Sequence, residues 1–133
     1  MQACIKDFFE ASSPRSRRRG TGKPKFVDLF AGVGGASEGA TQAGYEVVLA
    51  VDNNEQAMEL HEYNHPDCVH VCCELPPKEA LPLPGRHEDW HLHGSPPCTE
   101  VSKANQNRNT HKRERAVDLI EWYVEFALAS SAT

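Results

Sequence analysis

The residues best suited to chemistry lie in two segments, a glycine-rich turn and a cysteine that follows two prolines. The largely apolar run Phe26 to Ala31 breaks directly into Gly32, Gly34 and Gly35. Glycines let the backbone bend sharply and approach a ligand, and the following helix directs its free N–H groups towards that ligand. A dinucleotide fingerprint has a third glycine where this chain has Ser37. The turn therefore predicts a nucleotide-like ligand, but it does not match the pattern for NAD.

Cys98 is the candidate nucleophile. It follows Pro96 and Pro97, which stiffen the backbone, and a small misplacement of a nucleophile is expensive in rate. A buried, inert cysteine usually lies in an apolar segment, whereas Cys98 precedes a polar and basic one. Positive charge nearby would favour the reactive thiolate and would also attract phosphates. The basic residues predicted to contact nucleic acid are Lys103, Arg108 and Lys112.

The elements that position these groups follow from hydrophobic periodicity. Short apolar runs alternate with segments of helical spacing, and this alternation predicts an α/β fold with a mostly parallel sheet. Gly44 marks the end of the first helix. The prolines between Pro76 and Gly85 leave room for at most one helical turn, around Lys78 to Leu81. The predicted strands are Phe26–Ala31, Glu46–Val51, Cys68–Cys73 and Glu88–Ser95, and the predicted helices are Ala36–Ala43, Glu55–Asn64 and Ala116–Leu128.

Asp52 ends the second predicted strand, about 20 residues after the glycine turn. A carboxylate at that place accepts hydrogen bonds from the hydroxyl groups of a ribose. The alternative is that Asp52 caps the next helix, although Asn53 or Asn54 could do this instead. We therefore favour the ribose-binding role for Asp52.

Cysteine and histidine residues in the later strands invite a metal-binding interpretation. Cys68, His70 and Cys72 alternate on one strand face, but a regular strand spreads such side chains about 7 Å apart, too far to meet one ion. We interpret them as half-buried strand residues and predict no metal ligands. His91 and His93 share a face of the fourth strand, opposite Trp90 and Leu92. Because nothing near them in sequence orients these histidines, they are predicted to be packed or solvated.

Composition limits the class of protein. The 133 residues, 39% hydrophobic and 25% charged, predict one domain with a core. A net charge of −5 argues against holding nucleic acid by bulk charge, and five cysteines indicate a reducing compartment. With no apolar membrane span or secretory signal, the chain is predicted to be intracellular, and nuclear in a eukaryote. Residues 1–24 are predicted to form a flexible basic tail, either a solvated linker or a nuclear-targeting or phosphate-contacting arm.

Together these segments resemble the DNA (cytosine-5) methyltransferase family, in the N-terminal part of its catalytic domain. Phe26 to Gly35 is similar to the family's first motif, which wraps S-adenosylmethionine, and Gly94 to Cys98 is similar to its Pro-Cys motif. The resemblance extends from Lys25 to Ser130, so residues 25–133 are identified as a partial methyltransferase domain. It implies a Rossmann-like S-adenosylmethionine-dependent methyltransferase fold with strand order 3-2-1-4, S-adenosylmethionine as cofactor, and DNA as partner.

The resemblance also assigns roles to residues. Asp52 would hold the cofactor's ribose, Asn53 would lie beside the adenine, and Glu74 would reach the adenine amino group. Cys98 would add to carbon 6 of a flipped-out cytosine and so activate carbon 5 for methylation. The implied cofactor-binding residues are Phe30, Ala31, Gly32, Gly34, Gly35, Asp52, Asn53, Glu74 and Pro97.

Two later motifs of the family, Glu-Asn-Val and Gln-x-Arg-x-Arg, do not occur in this sequence. The last predicted helix is polar only along Asp118, Glu121 and Glu125, as expected of a helix covered by more than a four-stranded sheet. We therefore expect a domain truncated after the fourth strand and following helix, with weak or no activity alone, which a second chain could complete. The alternatives are a non-catalytic S-adenosylmethionine-binding or interaction module and an RNA cytosine-5 methyltransferase fragment.

Overall fold

The computed structural model describes residues 22–98, 110–130 and 132. Most of the predicted N-terminal tail therefore lies outside the described residues. Strands and helices alternate in the described part except between the last two strands, which a connector without a helix joins. In chain order the elements are β1 Lys25–Leu29, α1 Gly35–Gln42, β2 Glu46–Asp52, α2 Glu55–Asn64, β3 Val69–Cys72, β4 Trp90–Gly94 and α3 Thr110–Ala129.

The four strands form one parallel sheet in the order β3-β2-β1-β4. Every residue of β1 after Lys25 is buried, so the strand is covered on both faces. This explains why its sequence is largely apolar instead of alternating between apolar and polar residues. The predicted α/β class, parallel pairing and strand order are confirmed. Because all four strands run the same way, their carboxyl ends lie along one edge of the sheet, where open α/β sheets bind ligands.

Local sequence signals set the ends of the first two helices. Gly34 is the N-cap of α1 with φ 97°, and Gly44 follows the helix with φ 93°, a conformation that costs glycine little. The Asn54 side chain caps α2 by accepting a hydrogen bond from the backbone N–H of Ala57 at 3.0 Å. The predicted helix stop at Gly44 is confirmed, and the helix cap is Asn54 rather than Asp52.

The sheet buries two separate clusters of apolar side chains, one on each face. The first cluster, which includes Ala40 of α1 and Met58 of α2, consists of Phe26, Ala31, Ala40, Val47, Ala50, Met58 and Cys68. The second consists of Val27, Leu29, Leu49, Val51, Leu75 and Trp90. Leu119, Trp122 and Phe126 of α3 pack against the second cluster. We call these two sides of the sheet the α1–α2 face and the α3 face.

The last helix begins at Thr110 rather than at the predicted Ala116. Its first residues are charged and exposed, so they carry no apolar stripe that periodicity could detect, although Lys, Arg and Glu are good helix formers. The other side of this helix exposes Val117, Val124 and Leu128, the last at 82%. In the described part of the chain, no helix combines the length and apolar character needed to span a bilayer.

Candidate cofactor and nucleophile site

The glycine turn connects β1 to α1 through three residues in the left-handed region. Phe30 has φ 59°, Gly32 φ 54° and Gly34 φ 97°. Phe30 was not predicted to adopt this conformation, which is uncommon for a residue with a side chain and recurs at functional sites. The Gly34 N–H donates to the carbonyl of Ala31 at 3.0 Å. The tight turn is confirmed, but the amide of Gly34 is used inside the turn instead of facing a ligand.

Asp52 joins the end of β2 to this turn. Its Oδ2 accepts a hydrogen bond from the backbone N–H of Gly32 at 2.9 Å, and its Oδ1 accepts one from Asn54 at 2.8 Å. A carboxylate has about four acceptor positions, so two remain for further donors such as the hydroxyl groups of a sugar. The carboxylate thus has a structural role that sequence reasoning missed, and it keeps the capacity for the predicted one.

A cleft of about 500 Å³ opens at the carboxyl edge of the sheet. Such a volume suits a small-molecule ligand. Five residues predicted to bind a cofactor line this cleft together: Phe30, Asp52, Asn53, Glu74 and Pro97. The remaining lining residues are Cys73, Leu75, Ser95, Lys112, Arg115, Ala116 and Leu119. The fold therefore brings residues from five separate segments of the sequence to one site.

The other predicted cofactor residues are placed differently. Ala31 is buried in the apolar cluster of the α1–α2 face, and the N–H of Gly32 is already bonded to Asp52. Gly34 is buried, and Gly35 is exposed as the first residue of α1. These residues shape the turn, while Phe30 is the residue of the turn that lines the cleft.

A larger cleft of about 910 Å³ adjoins the first. It lies between α3 and the proline-rich connector that follows β3, and the connector contains no helical turn in the structure. The residues shared by the two clefts are Cys73, Glu74, Leu75, Arg115 and Leu119. We place the candidate cofactor site in the smaller cleft, because that cleft contains Asp52 and Pro97.

Cys98 follows Pro97 directly and is exposed, so the alternative of a buried, inert cysteine is wrong for this residue. Cys68 shows the contrast, since burial raises the pKa of its thiol to about 12. Lys112, in the first turns of α3, lines the cleft together with Arg115. Lys103 and Arg108 lie outside the described residues.

Sequence reasoning missed a buried chain of polar side chains on the α1–α2 face, which we call the polar network. Its members are Asp28, Ser37, His61, His70 and His93. The first three are completely buried. The available signal was Asp28 itself, a carboxylate in an otherwise apolar buried strand, because a buried charge needs hydrogen-bonding partners.

The network changes the interpretation of two strands. His93 Nδ1 lies 2.9 Å from Asp28 Oδ1, and this hydrogen bond raises the pKa of His93. The group that orients His93 therefore lies on the neighbouring strand, 65 residues away, where the neighbouring sequence does not reveal it. His91 is exposed to solvent, and its ring stacks on Phe26. Both features fit the prediction of a packed or solvated residue. His70, predicted to be a half-buried strand residue, contacts His61 at 2.8 Å.

The part of the chain that the structure describes offers no site for a metal ion. It contains no group of three or more His, Cys, Asp or Glu side chains that could hold one. Cys68 is buried and precedes β3, whereas Cys72, the last residue of that strand, is exposed.

Comparison with known proteins agrees with this geometry. The chain is 38% identical over 82 residues to the type II methyltransferase M.HgiDI of Herpetosiphon aurantiacus, covering 62% of this chain and 26% of that protein. It is equally similar to M.HgiGI of the same organism, covering 65% of that protein. The chain thus spans between about a quarter and two thirds of the length of these relatives.

A solved structure shares the fold. It is the crystal structure of a prophage-encoded protein of E. coli assigned as a DNA modification methyltransferase, with 29% identity and a TM-score of 0.51. The match covers 74% of this chain and 28% of that one. Residues 24–128 match the family model described as C-5 cytosine-specific DNA methylase. Because this match takes in both the glycine turn and Cys98, the chain belongs to the C-5 cytosine-specific DNA methylase family.

Proposed function

We propose that the chain forms the methyl-donor and nucleophile side of a DNA cytosine-5 methyltransferase, with S-adenosylmethionine in the smaller cleft. The observation that carries this proposal is the convergence of Phe30, Asp52, Asn53, Glu74 and Pro97 on one cleft, next to the exposed Cys98. These residues come from the ends of three strands and from the segment that follows the fourth, so their convergence depends on the fold as a whole.

The lining of the cleft fits the chemistry of this cofactor. Phe30, Leu75 and Leu119 offer apolar surface to an adenine ring, while Asp52 has acceptor capacity left for ribose hydroxyl groups. Glu74 is exposed in the same cleft and can accept a hydrogen bond from an amino group. When bound, S-adenosylmethionine supplies an electrophilic methyl group.

Cys98 would supply the nucleophile. Carbon 5 of cytosine is a poor nucleophile until the Cys98 sulfur bonds to carbon 6, which places the electron pair of the double bond at carbon 5. Later loss of the carbon 5 proton restores that double bond and releases the sulfur. Lys112 and Arg115 provide positive charge along the cleft, which attracts the phosphates that flank a flipped-out base.

The proposal is tested by trapping the covalent step. An oligonucleotide with 5-fluorocytosine cannot lose a proton from carbon 5, so Cys98 should remain attached to it when S-adenosylmethionine is present. Mass spectrometry should find the adduct on Cys98, and the Cys98→Ser variant should form none. Cys72→Ser is the matched control, because Cys72 is also exposed but lies in β3, and this variant should retain the adduct.

Two other outcomes would redirect the proposal. Cofactor binding without any adduct would favour a non-catalytic S-adenosylmethionine-binding module. An adduct with an RNA oligonucleotide and none with DNA would favour an RNA cytosine-5 methyltransferase. The adduct needs only one reaction cycle, so the experiment reports the covalent step without requiring turnover.

A further inference from the structure

The polar network converges on Asp28, in the middle of β1. This side chain is completely buried, and each of its oxygens accepts one hydrogen bond from a different element. Ser37 of α1 donates to Oδ2 at 2.7 Å, and His93 of β4 donates from Nδ1 to Oδ1 at 2.9 Å. A buried carboxylate that loses a donor is strongly destabilised, so both hydrogen bonds must form for this arrangement to persist.

Counting donors fixes the direction of the hydrogen bonds on both sides of Ser37. Since the Ser37 hydroxyl gives its proton to Asp28, its oxygen accepts from His61 Nε2–H at 2.9 Å. Burial lowers the pKa of His61 and so favours its neutral ring, with the proton on Nε2. In that form its Nδ1 accepts from His70 Nε2–H at 2.8 Å.

The network lies directly against the glycine turn. A Cβ atom placed on Gly34 would stand only 2.9 Å from Cδ2 of His61, so the buried ring touches the backbone of the turn. Ser37 lies in the first turn of the helix that Gly34 caps. Two members of the network, His61 and Ser37, therefore hold the turn from its buried side.

The opposite end of the network reaches the strand that leads to the nucleophile. His93 precedes Gly94, the last residue of β4, and the Ser95 N–H donates to the carbonyl of Leu29 at 3.4 Å. Gly94 has no room for a side chain, because a Cβ there would overlap the ring of Tyr123. The strand is thus held on one face by Tyr123 of α3 and on the other by Asp28.

We infer that His93 is a positioning residue: by donating to Asp28 it holds β4, and with it the Pro97–Cys98 segment, in place beside the glycine turn. The role of His93 in methyl transfer rests on the proposed function. The structural link between β4 and the turn stands without it. His93 does not itself line the cleft, so it acts through Asp28.

The matched pair His93→Asn and His93→Gln tests the role of the donor. An asparagine amide nitrogen stands as many bonds from the backbone as His Nδ1, whereas glutamine is closer to histidine in size but carries its donor one carbon further out. If His93 only fills space, glutamine should replace it better. If it acts as the donor to Asp28, asparagine should replace it better. His91→Gln is the control, since His91 shares the strand face and the stacking on Phe26.

Hydrogen exchange of the backbone amides measures the structural link between β4 and the glycine turn, and it requires no ligand. In His93→Gln we expect exchange in residues 30–36 to accelerate about tenfold, the factor that corresponds to ~1.4 kcal/mol. His93→Asn and His91→Gln should stay within about twofold of the original protein. Unchanged exchange in Val47 to Val51 of β2 would show that the opening is local. Equal exchange in His93→Gln and His93→Asn would overturn the inference.

Calorimetry with S-adenosylmethionine then tests whether the structural link between β4 and the turn affects cofactor binding. His93→Gln should bind about tenfold more weakly than His93→Asn, because only the fraction of molecules with an ordered turn can bind. If the original protein binds no S-adenosylmethionine, the proposed function fails, while the exchange data still decide the role of His93. If all variants bind equally well, the positioning role is wrong although the proposed function stands.

Discussion

The two faces of the sheet bury side chains of opposite chemistry at neighbouring positions of one strand. In β1, Val27 and Leu29 enter an apolar cluster on the α3 face, while Asp28 enters the polar network on the α1–α2 face. Apolar packing depends on volume and tolerates swaps that conserve it, whereas a buried network depends on every partner being present. The comparison indicates that the α3 face mainly provides stability and that the polar network provides position.

The largest effect should come from a cavity on the α3 face. Leu49→Ala removes a completely buried side chain and should lower the free energy of unfolding by about 2–5 kcal/mol. Urea denaturation followed by circular dichroism measures this change. Leu60→Ala is the control, because Leu60 is 48% exposed, and it should cost less than about 0.5 kcal/mol.

Substitutions that conserve the shape of a side chain should distinguish the apolar cluster of the α3 face from the polar network more clearly. Asp28→Asn should cost about 1–3 kcal/mol, because its amide group would turn a donor towards Ser37 or His93, which are donors themselves. Leu49→Met should cost less than about 1.5 kcal/mol, since it preserves volume and polarity. If Leu49→Met proves more costly than Asp28→Asn in urea denaturation, the distinction between the faces fails.

Much of the fold could be predicted from the sequence because its signals are local. The buried strands are apolar runs, and Gly44 and Asn54 mark helix ends within a few residues of the atoms they satisfy. The polar network could not be predicted in this way, because His93 and Asp28 are 65 residues apart and meet only when β4 pairs with β1. The start of α3 was missed since its first turns are charged on every side.

The candidate site was predictable to a similar extent. Asp52, Glu74 and Pro97 each follow or end a strand, so parallel pairing alone places them at one edge. The hydrogen bond from Gly32 to Asp52 depends on the exact path of the turn, including the positive φ of Phe30, which no local signal indicates.

The smallest effect should be a pH dependence of opposite sign at two histidines of the network, His93 and His61. The pKa of His93 is raised from 6.5 by its hydrogen bond to Asp28, so its contribution to stability is full below pH 6.5 and is lost as pH rises through the raised value. The pKa of His61 is lowered from 6.5 by burial, so its contribution is present above pH 6.5 and is lost as pH falls through the lowered value.

Urea denaturation between about pH 5 and pH 9 measures both dependences. The destabilisation caused by His93→Asn should be larger at the acidic end, by less than about 1 kcal/mol because His93 is partly exposed. The destabilisation caused by His61→Gln should instead be larger at the alkaline end. The same sign for both variants would contradict the assigned protonation states.

We propose that the polar network and Asp52 together shape a cleft for S-adenosylmethionine, and isothermal titration calorimetry measures this binding. We predict saturable binding of one S-adenosylmethionine per chain, weakened at least about tenfold by Asp52→Ala. This substitution removes the carboxylate that accepts hydrogen bonds from the glycine turn and that would accept them from the ligand. Asp67→Ala, at an exposed carboxylate outside the cleft, should leave the affinity unchanged. Absence of binding, or equal affinities in Asp52→Ala and Asp67→Ala, would show that the cleft beside Asp52 is not the site of S-adenosylmethionine.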